Sequence, residues 1–197
     1  MNLSRVLSLI LLILVLLIAV PLISAFFVDN KIQVERNISI ERQVDEVFNY
    51  LKYVKNHDNF TKWNTLDPDM KKSYTGIDGT VGFVYAWEGN EDAGKGEQEI
   101  IFIEEGHRID HELRFQEPFE ATAKAWMVTK PAGDNLTEVT WGMESSMPYP
   151  INLLLLFIDF DQSLGEDYEQ GLNKLKAILE SNQFSVNAGA EEMEEED

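Results

Sequence analysis

Cysteine is absent from this sequence. That excludes disulfide bonds, thiolate metal sites and a cysteine nucleophile, and it suits an extracytoplasmic domain without requiring one. Basic residues are scarce: 16 Lys and Arg stand against 35 Asp and Glu, a formal net charge of −19. A surface of that sign repels phosphate backbones, so nucleic acid is excluded as a partner. Histidine occurs three times, at His57, His107 and His111. The last two lie four apart in a strand-like stretch, on one face but ~13 Å from each other, which is no ligand pair. No metal and no cofactor are therefore expected. No glycine-rich phosphate loop opens a helix, no serine sits in a nucleophile elbow, and no internal repeat is present.

Charge is missing altogether from Val6 to Val28, VLSLILLILVLLIAVPLISAFFV. These 23 residues, at ~1.5 Å each in a helix, cover the ~30 Å hydrocarbon core of a bilayer. A cleaved secretory signal would be shorter and would end on small residues. Here Ile23 is bulky where a small residue is wanted, and the apolar run continues through Phe26, Phe27 and Val28. Residues 1–28 are therefore expected to be an uncleaved, single-pass transmembrane anchor, with Pro21 inside it. Lys and Arg are too evenly divided to fix its orientation. A tail with Arg5 as its one basic side chain behaves as a signal anchor, so the domain is expected outside the cytoplasm. At the other end, EEMEEED from Glu191 belongs to an acidic tail, residues 184–197, expected to be solvated and disordered.

Between these segments, residues 31–183 of the 197 suffice for one domain. KIQVERNISI alternates apolar and polar residues, as a half-buried strand does. Val44, Val47, Phe48 and Leu51 then fall on one face of a short helix, and further turns are expected between Val54 and Trp63. Five strands follow, in TVGFVYAWEG, EQEIIFIEE, RIDHELRFQE, EATAKAWMVTK and LTEVTWGMESS, joined by short turn-forming loops. Such loops require antiparallel pairing. A last helix is expected from Ile151 to Ser181, with the stripe Leu153, Phe157, Phe160, Leu164, Tyr168, Leu172, Leu175 and Leu179. The class is α+β: a curved antiparallel sheet with its helices on one face and an apolar space beneath the long helix.

The segments WEGNEDAGKGEQEI, LRFQEPFEATAKAWM, TEVTWGM and FDQSLGEDYEQGLNKLKAILE, in this order and behind an N-terminal apolar helix, resemble the START-like, or SRPBCC, superfamily. The likeness is greatest to its bacterial polyketide cyclase/dehydrase-like branch, many of whose members carry one transmembrane helix. The resemblance implies a helix-grip fold, in which the sheet wraps the C-terminal helix and leaves a cavity between them. Relatives bind lipids, sterols or polyketides, and some catalyse cyclisation or dehydration. No catalytic motif of the branch transfers residue by residue, so the resemblance speaks to ancestry more than to chemistry.

Strand parity and helix spacing nominate the cavity wall. His111 shares a face with Ile109, Leu113 and Phe115; Phe83, Tyr85 and Trp87 alternate on another strand, and Trp141 sits with Val139 and Met143. Phe157, Asp161, Leu164 and Tyr168 follow the inner side of the last helix. An imidazole there serves as a polar anchor or general base, or simply as a bonded core histidine. The aromatics are equally suited to a pocket or a core. Glu88, Glu97 and Glu99 are placed on the solvent face by alternation. The run INLLLLFI is apolar nearly all round, and it is expected to form the hydrophobic mouth of the cavity close to the membrane, or else to be buried by neighbours such as YLKYV. Three functions fit: a membrane-tethered binding module for a hydrophobic small molecule or lipid, a cavity enzyme using acid/base chemistry, or an envelope interaction or stress protein without a ligand.

Overall fold

A computed structural model describes residues 3–181, and the expected acidic tail, 184–197, lies outside the described residues. The first element is the helix α1, Leu3–Ala25, which is long and apolar enough to cross a membrane and packs against no other part of the chain until its last turn. A secretory signal passes the same test of length and composition. The domain that follows contains β1 (Lys31–Ile40), α2 (Val44–Lys52), and two 3₁₀ turns, Val54–Asn59 and Trp63–Thr65. Then come β2 (Lys71–Thr75), β3 (Val84–Glu88), β4 (Lys95–Glu104), β5 (Arg108–Glu117), β6 (Ala121–Gly133) and β7 (Leu136–Ser146). A further 3₁₀ turn, Ile151–Leu156, precedes the last helix, α3, Phe160–Leu179.

The seven strands form one sheet in the order β1-β7-β6-β5-β4-β3-β2, and each neighbouring pair is antiparallel. Strands β2 to β7 are a meander, as their short loops require. β1 closes against β7, with Ile40 opposite Thr137 and Lys31 opposite Ser146. Between Ile100 and Phe102 the β4–β5 register slips by one residue. A bulge of this kind bends its strand and increases the local twist. The helix-grip arrangement expected from the sequence is present.

One strand was not expected. KKSYT forms β2 at the edge of the sheet, with four of its five residues exposed. It has no buried face to impose alternation, so its sequence carries no strand signal.

The last helix also differs from expectation. INLLLL is a 3₁₀ turn, and α3 starts afresh at Phe160. Asp159 caps it, its carboxylate accepting from the Gln162 N–H at 3.0 Å. That bond satisfies one of the free donors at a helix start and fixes the boundary there. The expected stripe survives downstream of the cap. Tyr168, Leu172, Leu175 and Leu179 are buried and Leu164 is half-buried, against Val34, Ile40, Val139 and Trp141 of the sheet. Val47, Phe48 and Leu51 of α2 complete this core. Close packing needs Gly171, because a Cβ there would stand 2.8 Å from a Trp141 ring carbon.

Candidate functional site

Between α3, the 3₁₀ turns and the inner face of the sheet lies a cavity of about 330 Å³. Its buried end is formed by His57, Thr61, Tyr85, His111, Ala125, Met127, Trp141 and Tyr168. Half-buried Trp63, Met70, Trp87, Phe115 and Leu164 surround the remainder, and they mark where it approaches solvent. Alternation along each strand supplies the wall. Tyr85 and Trp87 come from β3, Gln98 from β4, His111, Leu113 and Phe115 from β5, Ala125 and Met127 from β6, and Trp141 and Met143 from β7.

Aromatic contacts hold the wall in place. Trp141 stacks on Tyr168 with ring centroids 4.2 Å apart and planes 12° from parallel, joining β7 to α3. Trp63 meets both rings edge-on, at 5.8 Å and 5.7 Å. Tyr85 stacks on Trp87, whose indole N–H donates to the Ala93 carbonyl at 3.1 Å. Gly96 gives that indole room, since a Cβ would come 2.6 Å from its ring. Such edge-on and offset geometries suit the aromatic quadrupole and stiffen the wall.

Polar groups are few, and most are committed to one another. The Tyr85 hydroxyl donates to Asn64 Oδ1 at 2.9 Å, and the Asn64 amide donates to Thr61 Oγ1 at 2.8 Å. His57 Nε2 lies 2.9 Å from the Leu51 carbonyl, which can only accept, so that nitrogen carries the hydrogen. At His111 the Gln98 amide nitrogen donates to Nδ1 at 3.2 Å. The neutral ring therefore carries its hydrogen on Nε2, and Nε2 is buried without a hydrogen-bond partner. No Asp, Glu, Lys or Arg lines the cavity.

Burial governs the protonation of both imidazoles. It pushes His111 down to about 3, with the nearby His57 adding a smaller effect in the same direction. Burial also lowers His57, against the Leu51 hydrogen bond and the fields of Asp78 and Asp58. The rings meet edge-on at 5.6 Å. Burial raises the phenols of Tyr85 and Tyr168. The site is thus neutral throughout the physiological range.

Of the ten residues nominated from the sequence, seven meet at this cavity: Tyr85, Trp87, His111, Phe115, Trp141, Leu164 and Tyr168. Three do not line it. Phe83 is 1% exposed in the hydrophobic core, stacked with Tyr74. Phe157 is 79% exposed, ahead of the cap that starts α3. Asp161 faces solvent and pairs with Arg36 at 2.9 Å. A single helical phase does not run from Phe157 into α3, because the chain breaks at Asp159, and the expectation that the Leu run forms the mouth fails with it. Glu97 and Glu99 lie with Glu112 around Arg114 on the opposite face of the sheet, and Glu88 bridges Lys71 and Lys95. Sequence reasoning missed His57, Trp63, Asn64 and Gln98. Only Gln98 carried a signal, sharing parity with the buried Ile100. Among the described residues no group of three or more His, Asp or Glu stands together as a metal site.

No protein-family profile and no curated protein matches the sequence. Solved structures resemble the fold. Norcoclaurine synthase from Thalictrum flavum, in complex with dopamine and hydroxybenzaldehyde, is 10% identical over 79% of this chain and 91% of its own, with a TM-score of 0.57. Protein Mll3558 from Rhizobium loti is 16% identical over 75% of this chain and 96% of its own, at 0.56. Major latex-like protein 151 from Panax ginseng is 16% identical over 77% and 99%, at 0.54. These are Bet v1-like, SRPBCC-fold proteins, and the chain shares their helix-grip architecture.

Proposed function

We propose that this chain is a membrane-tethered binding module for an uncharged, largely apolar small molecule, held in the cavity beneath α3. The observation that carries the reading is a cavity with aromatic walls, no charged lining residue and a fully buried nitrogen without a hydrogen-bond partner, His111 Nε2. Its ~330 Å³ falls at the small end of the range for small-molecule sites. Burying an ion in such a lining costs far more than burying a neutral group. The ligand is therefore neutral, and a lipid enters only by an uncharged part; a small turn of the His111 ring would bring Nε2 to a carbonyl, ether or hydroxyl oxygen of that ligand. An orphaned buried donor costs ~1–3 kcal/mol, so a ligand that pairs with it gains both affinity and orientation. The tether is α1, whose length and composition suit a membrane span, and it keeps the cavity where apolar ligands concentrate.

A second reading, an enzyme of the polyketide cyclase/dehydrase type, has one observation in its favour: His111, a lining residue, is neutral and has a buried ring nitrogen without a hydrogen-bond partner. General acid–base chemistry prefers a group with a pKa near neutrality and usually a partner to orient it. Burial moves His111 far from that value, and no carboxylate lines the cavity. Binding is the better account. Native mass spectrometry of the full chain, released from detergent after purification from membranes, tests it. The expected result is a one-to-one complex with a neutral molecule, and a chain that is always bare after lipid-extract incubation overturns the proposal.

A further inference from the structure

The C-terminal end of α1 is not left to solvent. The Ile23, Ser24 and Ala25 carbonyls accept from the N–H groups of Phe26, Phe27 and Val28, and the Leu22 carbonyl accepts from the Tyr149 hydroxyl at 3.2 Å. Asn152 Nδ2 donates to two carbonyls, Ala25 at 2.8 Å and Val28 at 3.0 Å. All four carbonyls that a helix end leaves without partners are thus satisfied, two of them by side chains of the folded domain. Ala25, alone among the α1 residues whose burial is described, is buried. The 3₁₀ turn Ile151–Leu156 is latched to the end of the apolar helix.

Three residues per turn place Ile151, Leu154 and Phe157 above one another on one side of that segment. They are exposed, as are Leu156, Ile158, Phe26 and Phe27. Large apolar side chains grouped in this way are uncommon on a surface that faces water only. Their setting identifies what covers them. They surround the point at which α1 leaves the domain, and Asp29, Asp159 and Asp161 stand beside them as exposed acids.

We propose that residues 149–158 and Phe26–Phe27 form a collar that sits in the interfacial zone of the bilayer, with the three acids held in the aqueous headgroup layer, so that the latch fixes the tilt of the domain over the membrane. This rests on the reading of α1 as a span. The occupant is a zwitterionic lipid surface, because the flanking acids, with Lys31 beside them and Asp161 paired to Arg36, leave little net charge to select anionic headgroups. The collar lies apart from the cavity, whose lining includes none of its residues.

Because the chain has no cysteine, single labelling sites can be introduced into the full-length protein without ambiguity. Leu12→Cys, Leu154→Cys, Phe157→Cys and Asp134→Cys, labelled with a nitrobenzoxadiazole dye in phosphatidylcholine vesicles, are compared for quenching by shallow and deep nitroxide lipids. Asp134 lies at the tip of the β6–β7 hairpin, the ten residues of β1 away from the collar, or about 30 Å. The collar requires at least twofold shallow quenching at positions 154 and 157, deep quenching at 12 and none at 134. Positions 154 and 157 as unquenched as 134, with 12 deeply quenched, would overturn the collar and leave the span standing. A blue-shifted but unquenched dye at 154 and 157 means that protein covers the patch, and that also overturns the proposal. Position 12 unquenched removes the span, and the collar with it.

Discussion

Acidification should destabilise this fold from an unusually high starting pH, and His111 sets much of the slope. In the folded chain burial holds its pKa at about 3, against 6.5 for an unhindered imidazole. The unfolded chain therefore binds more protons between those values. Stability rises with pH across that window, is complete above about pH 6.5, and is lost as pH falls through it. Each pH unit inside the window changes stability by about 1.4 kcal/mol for one such group. Between pH 7 and pH 5, His111 alone accounts for a loss of roughly 2 kcal/mol by the same linkage. His57, shifted in the same direction by burial, adds to it. Replacement of His111 by Leu keeps the site filled and removes the titration. Urea denaturation of the full chain in detergent micelles, followed by near-ultraviolet circular dichroism, measures both proteins from pH 7 to pH 5. The variant should lose about 2 kcal/mol less than the parent over that range. Equal slopes would mean that His111 is hydrated or protonated in the folded state, which refutes the dry, neutral pole on which the ligand reading depends.

Other perturbations probe separate parts of the account. Ala125→Trp places an indole in the cavity, so binding of the neutral dye N-phenyl-1-naphthylamine to the purified chain should weaken at least tenfold while the far-ultraviolet spectrum is unchanged; unaltered binding would put the dye elsewhere. Gly171→Ala gains up to ~1 kcal/mol of helix propensity but drives a Cβ against Trp141, which Phe60, Trp63 and Tyr168 hold in place. Overpacking of this kind costs ~1–3 kcal/mol, so a fall in the urea midpoint is expected, and a rise would show that Trp141 moves freely. Asn152→Ala removes two hydrogen bonds to the end of α1 and should raise hydrogen exchange in residues 151–158 by about tenfold, the equivalent of ~1.4 kcal/mol; unchanged exchange would show that the latch is not needed to hold the turn.

The sequence makes the sheet legible wherever one face is buried, because period-two alternation is then enforced by solvent. This holds for β1 and for β3 to β7, and for the cavity residues they carry, from Tyr85 to Trp141. β2 escapes because an exposed edge strand enforces no pattern. The start of α3 is a different failure. Asp159 and Gln162 form a recognisable cap, yet the preceding Leu run extends the expected helix nine residues too far upstream, to Ile151, and carries Phe157 and Asp161 to the wrong side. Apolar residues at helical spacing read as a core stripe, whereas Ile151, Leu154 and Leu156 are exposed on the 3₁₀ turn at the end of α1. His57, Trp63 and Asn64 sit on short 3₁₀ turns whose orientation is decided by tertiary packing, and no local period announces them.

The most direct measurement is the ¹⁵N spectrum of the histidine side chains in the full, selectively labelled chain, taken before and after its co-purified ligand is stripped and restored. The account requires His111 to be a neutral Nε2–H tautomer at pH 5 whose Nε2 resonance moves on stripping and returns on restoration. An imidazolium at that pH, or an Nε2 signal indifferent to the contents of the cavity, would contradict it.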